Sequence, residues 1–124
     1  MDITPKYIKM CEMAKEIQDY WEIHTGDYYF SKYTEMVVIG LPHFSYKTKD
    51  HYIWLLRQDQ LQEMIGTGVF FVLEAFNQFV FHEYGPYCVK TFHSREQLWL
   101  AFVMKEKFNK MWDEKKEEWT EDNQ

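Results

Sequence analysis

Residues 69–83 read VFFVLEAFNQFVFHE, and the organisation of the whole chain turns on how they are buried. Glu74, Asn77, Gln78 and His82 fall three and four residues apart, which gathers them into one narrow stripe of a helix. The remaining positions are Val, Leu, Ala and Phe almost without interruption. A helix that is apolar over most of its circumference must be covered over most of its perimeter. Each large aromatic side chain left in water would forgo about 1.5–3 kcal/mol of burial. Residues 69–83 are therefore expected to form a central helix, wrapped by its own chain or buried in a dimer. Gly85-Pro86 supplies the stop.

A membrane span is the rival reading of this stretch. Between Met64 and Phe81 the one formal charge is Glu74, with Asn77 and Gln78 close by. A carboxylate at the centre of a spanning helix costs about 2.5–3.5 kcal/mol, and no Lys or Arg cluster flanks the segment. The expectation is a buried helix of a soluble protein.

Working outward, Arg57 to Ile65 forms a short helix with Leu61, Met64 and Ile65 on one face and Asp59 in its favourable first turn. Upstream, residues 21–56 set aromatic and β-branched runs between Gly, Asp and Pro. Tyr28-Tyr29-Phe30 and Met36-Val37-Val38-Ile39 read as strands. Trp21, Ile23 and Thr25 alternate in the same manner, and Tyr52 to Leu56 is a third strand or a lead-in to the helix. His43 to Asp50 reads as a polar loop. At the start, Thr4 is a good N-cap and Pro5 a good first helical residue. Tyr7, Met10, Cys11, Ala14, Ile17 and Trp21 then share one helical face. Downstream, Ser94-Arg95-Glu96-Gln97 forms a capping box. The helix it opens buries Leu98, Ala101, Phe102, Phe108 and Trp112, and is expected to run to about Glu117. Residues 113–124 are rich in acids and read as a frayed tail.

The expected fold is thus a single α+β domain over residues 1–124. It has an N-terminal helix, a small antiparallel sheet, then about three helices with residues 69–83 central. At 124 residues, with 46% hydrophobic and 19% aromatic residues, the chain is long enough and apolar enough for a packed core. Its formal net charge of −6 opposes a protein that tracks phosphates, so nucleic acid is an unfavoured partner. The N-terminal residues show no basic and apolar signal pattern, and Cys11 and Cys88 have no CxxC spacing. Reduced thiols and a cytoplasmic location are expected, with no membrane partner.

Two blocks carry a resemblance. Residues 54–64, WLLRQDQLQEM, and residues 94–106, SREQLWLAFVMKE, resemble the two signatures of a family of small uncharacterised proteins from phages and prophage-bearing bacteria. That family often has Pro where this chain has Leu56, and a Gly before its terminal Trp where this chain has none. The resemblance implies a viral accessory protein acting inside a host cell, and it brings no activity and no catalytic residue with it.

For chemistry the chain offers few parts. Asp59 and Glu63 are four residues apart, so their carboxylates share a helix face beside Arg57. This group reads as a solvated helix start or as a polar recognition surface. Glu74, Gln78 and His82 repeat every four residues and, joined to Asp59 and Glu63, would be the site of a small hydrolase or metal-dependent enzyme. His82, Cys88 and His93 are too loosely spaced for a structural zinc site, and no nucleotide-binding or nucleophile motif is present. No cofactor is implied, and the balance leans away from an enzyme. The expected function is protein–protein interaction with self-association, with Phe70, Phe76 and Phe79 as apolar anchors and Arg57, Asp59 and Glu63 as polar contacts. A third reading is an acidic mimic of nucleic acid that inhibits a host protein.

Overall fold

A computed structural model describes residues 1–22, 24–40, 50–66 and 68–122. The expected loop at His43–Asp50 lies almost wholly outside these residues. The fold is α+β, as the alternation of patterns predicts, with an N-terminal helix, two small antiparallel sheets and a helical second half.

Ser94 starts the helix on which the other elements are built. Its hydroxyl accepts the Gln97 N–H at 3.1 Å, while Gln97 Oε1 accepts the His93 N–H at 2.9 Å. The helix, Arg95–Phe108, buries Gln97 and the unbroken run Trp99 to Met104. Burial all round the axis makes this the central helix, and it packs against the helices Pro5–Met13 and Gln58–Ile65 and the strand Lys110–Asp113. Here the expectation for residues 69–83 is corrected.

Helix α1 (Pro5–Met13) is capped by Thr4, whose Oγ1 accepts the Tyr7 N–H. It breaks at Ala14, and a single turn, α2 (Lys15–Gln18), follows. The apolar face continues across the break, because Tyr7, Met10, Cys11, Ala14, Ile17 and Trp21 are all buried.

The first sheet has the order β2 (Met36–Ile39), β1 (Tyr28–Ser31), β3 (Tyr52–Leu55), antiparallel throughout. Tyr29 lies opposite Val38 on one side and Trp54 on the other. The Trp54 and Trp21 rings stack, 6.0 Å apart and nearly parallel. Trp21 and Thr25 themselves are not in a strand, and Ile23 lies outside the described residues.

Helix α3 (Gln58–Ile65) ends at Gly66, whose φ of 131° favours glycine. Helix α4 (Val69–Asn77) continues into a π-helical segment, Gln78–Glu83. Pro86 then lies in the first turn of a further helix, α5 (Gly85–Thr91), so the expected stop is also a start. The central helix is α6.

The expected run of α6 to Glu117 is corrected as well. Asn109 takes the left-handed conformation, with φ 54° and ψ 43°, and ends the helix. The expected frayed tail is a hairpin of β4 (Lys110–Asp113) and β5 (Glu118–Glu121). Trp112 and Trp119 face each other across it with ring centres 5.1 Å apart, and both are buried.

Candidate functional site

The corner between α3 and α4 gathers most of the residues singled out from the sequence. It begins with a turn far upstream. Asp27, 1% exposed, sits in the Gly26-Asp27 turn that leads into β1. One carboxylate oxygen accepts the Trp21 indole N–H at 3.1 Å and the His24 backbone N–H at 2.9 Å. The other accepts the Gln60 amide at 2.8 Å and lies 3.7 Å from the Arg57 guanidinium. A buried carboxylate is tolerable only with partners of this number. Arg57 also donates to the Gly26 carbonyl at 2.9 Å and to Asp59 at 3.1 Å, while its own N–H is accepted by Gln60 Oε1 at 2.9 Å. Arg57 therefore ties the start of α3 to the sheet and is largely consumed in doing so.

Asp59 and Glu63 follow on the outer side of α3, and both are exposed. Asp59 is paired with Arg57, whereas Glu63 makes no hydrogen bond or ion pair among the described residues. Between these carboxylates and α4 lies a cavity of about 460 Å³. Gln62 and Gly66 border it on the α3 side, Val69, Val72 and Leu73 on the α4 side. Trp99 of α6 also lines it and is itself 4% exposed.

Helix α4 packs on the core by one side, through Val72, Ala75 and Phe76, with no residue fully buried. Phe70 and Phe71 are 87% and 82% exposed, and Val69, Leu73 and Phe81 are exposed beside them. The helix is held from its other side. Phe76 stacks on Trp99 with ring centres 3.9 Å apart, and Phe79 packs against Phe102 and Tyr84. The three expected anchors thus divide. Phe76 and Phe79 attach the helix to its own core, and Phe70 alone of the three faces outward. Phe71, which the sequence reading did not single out, faces outward too. Nothing in its spacing marks it, because either side of so apolar a helix is a plausible buried side.

The enzymatic grouping does not assemble. Asp59 and Glu63 border the cavity, but Glu74, Gln78 and His82 do not, and their side chains are exposed. Among the described residues no three His, Cys, Asp or Glu side chains lie together as metal ligands, which covers His82, Cys88 and His93 as well. Neither thiol is poised for reaction. Burial pushes the Cys11 thiol up to about 12 and the Cys88 thiol up to about 11, so both are protonated at neutral pH. Among the described residues no single helix is long and apolar enough to cross a membrane. Residues 58–65 and 69–83 would together have the length and composition, but they are bent by 105°.

Compared with protein-family models, curated proteins and solved structures, the chain matches none.

Proposed function

We propose that this protein is an interaction module that self-associates through the outer face of α4, an accessory protein of the phage type working in a host cytoplasm. One observation carries the reading: two adjacent phenylalanines, both more than four-fifths exposed, on a helix with no buried residue. Exposed apolar side chains scattered singly are ordinary, whereas Val69, Phe70, Phe71, Leu73 and Phe81 belong to one helix and its continuation. A second copy is the partner that best suits them. A two-fold interface sets one surface against itself, residue i of one copy meeting residue j of the other, so a charge close to the axis meets its like. On a chain of net charge −6, the exposed residues Val69, Phe70, Phe71 and Leu73 carry no charge, and Glu74 lies one turn on, so two copies meet with least repulsion when Phe70 and Phe71 sit at the axis and Glu74 away from it. Burying the two phenylalanines of each copy would add about 1.5–3 kcal/mol per ring before the cost of association. The resemblance of residues 54–64 and 94–106 to phage proteins supports the setting and is silent on the partner.

The test is native mass spectrometry and light scattering over a concentration series. The wild type is expected to be a dimer. Phe71→Asp is expected to be a folded monomer, because that side chain touches water in the single copy, with the melting temperature of wild type diluted below its dimerisation range. A wild type that stays monomeric at every concentration overturns the reading, as does a Phe71→Asp protein that remains dimeric.

A further inference from the structure

The cavity beside α4 has a chemistry of its own. Its volume, about 460 Å³, falls within the ~300–1,000 Å³ of small-molecule sites. Trp99, Val72 and Leu73 give it an apolar interior, and the carboxylates of Asp59 and Glu63 stand on one side. Among the described residues no Lys, Arg or His contributes to its walls. Glu63 forms no ion pair among the described residues, although the Lys107 ammonium donates to the neighbouring Met64 carbonyl at 3.0 Å. Trp99 adds an independent sign. It is almost wholly buried, its ring stacks on Phe76, and its indole N–H has no acceptor among the described residues. An apolar cavity, a carboxylate without an ion pair and a donor without an acceptor fit one class of molecule.

We propose that the cavity binds a small organic ammonium whose hydrocarbon body carries a hydrogen-bond acceptor. The body lies against Val72, Leu73 and Trp99, the cationic head stands beside Glu63, with Asp59 already paired with Arg57, and the acceptor takes the Trp99 indole N–H. Charge sets the sign of the selection, and the apolar interior supplies most of the affinity. Glu63 is exposed, so it contributes as a surface ion pair does, about 2–5-fold in affinity, and Asp59, paired with Arg57, contributes less. The cavity is larger than one lysine stem needs, which favours a free amine over a side chain of a docked protein.

Three probes with one body and different charge test this: tyramine, its neutral alcohol tyrosol, and 3-(4-hydroxyphenyl)propionate. Each is titrated by calorimetry and by ¹⁵N-resolved NMR. Tyramine is expected to bind best, tyrosol several-fold more weakly and the propionate least, with tyramine moving the Trp99 indole resonance. Glu63→Gln is expected to weaken tyramine about 2–5-fold while leaving tyrosol and the melting temperature unchanged, and Asp59→Asn is expected to weaken it less, because Arg57 already meets that charge. Equal binding of the three probes, or tyramine binding indifferent to Glu63→Gln, overturns the proposal. Val69 and Leu73 belong both to the cavity wall and to the α4 face, so the titrations are repeated in Phe71→Asp, where a second copy would not cover the opening. Absence of tyramine binding in that variant also overturns the proposal, and a lysine peptide binding in its place would reassign the cavity to a protein partner.

Discussion

Asp2 shows how one carboxylate organises two distant parts of the chain. It is buried against the start of α6, where it accepts hydrogen bonds from Ser94 Oγ and from the Gln97 amide at 2.9 Å. It also accepts from the Thr4 N–H at 2.9 Å and the Thr4 hydroxyl at 2.6 Å, next to the cap of α1. Burial by itself would raise the Asp2 carboxyl, but the bonds from Ser94, Thr4 and Gln97 outweigh it and hold the group below the ordinary carboxylate value. A carboxyl depressed on folding stabilises the fold at pH values above its unfolded value, about 3.9, and that contribution is lost as pH falls through the folded value. Asp2→Asn should therefore melt lower than wild type at neutral pH, with the gap narrowing as the pH drops below about 4. Melting temperatures of the two proteins from pH 7 downward check this, and a gap that persists unchanged at low pH would show that ionisation contributes nothing. The capping box at Ser94 is legible in the sequence because its residues are neighbours. The role of Asp2 is not, because Ser94 and Gln97 lie more than ninety residues away along the chain. Asp27 is concealed in the same way: Gly26-Asp27 reads as a turn, and only the fold brings Gln60 and Arg57 to its carboxylate.

At the scale of the element, the sequence separates helix from strand well and inside from outside poorly. The apolar periods locate α1, α3, α4 and α6 and the strands β1 and β2, and leave β3 open between a strand and a lead-in to α3, since local pattern carries period. Residues 69–83 are uniformly apolar, and uniformity holds no information about which side meets the core. Helix α6 carries the weaker apolar count and takes the centre, because its run Trp99 to Met104 is surrounded by α1, α3 and β4. The π-helical segment at Gln78–Glu83 adds a further displacement that counting in steps of 3.6 residues does not anticipate. There Phe79 is 3% exposed, while Phe81 two residues later is open to water. The division has an energetic signature. Phe79→Ala should cost about 3–5 kcal/mol, the range for emptying a packed aromatic site. Phe71→Ala should stay within about 0.5 kcal/mol of wild type in the monomer, as a surface change does. Urea unfolding of both variants in the Phe70→Asp background, where a dimer contributes nothing, measures the contrast. Equal losses at the two positions would place Phe71 inside the core and remove the apolar face with it.

For the molecule as a whole, the segment that composition marks as solvent closes the structure. Acids and lysines crowd residues 113–122, so the sequence reads as a tail, yet the turn between β4 and β5 needs only polar residues and the strands need only Trp112 and Trp119. Glu117, with φ at 52°, completes that turn in a conformation a helix would never ask of it. The hairpin then reaches back to the first helix. The Trp119 indole donates to the Met10 carbonyl at 3.0 Å, Lys6 pairs with Glu114 at 2.9 Å, and Lys110 pairs with Glu16 at 3.0 Å. At the far end of α6, Asp122 pairs with Lys105 at 2.7 Å and accepts the Tyr84 hydroxyl at 3.0 Å, linking the tail to the residue that follows the π-helical segment. The surface ion pairs contribute roughly 0–1 kcal/mol each, so the weight of the closure rests on the two tryptophans. Trp119→Ala should accordingly cost about 3–5 kcal/mol, leave the Met10 carbonyl without its donor and raise amide exchange through α1. Glu114→Gln, which removes one exposed charge from the same hairpin, should change stability by less than about 1 kcal/mol. Hydrogen exchange on the two variants separates a hairpin that braces α1 from one that merely lies on it. Faster exchange confined to residues 110–122 in Trp119→Ala would mean that α1 is held by α6 and β3 alone.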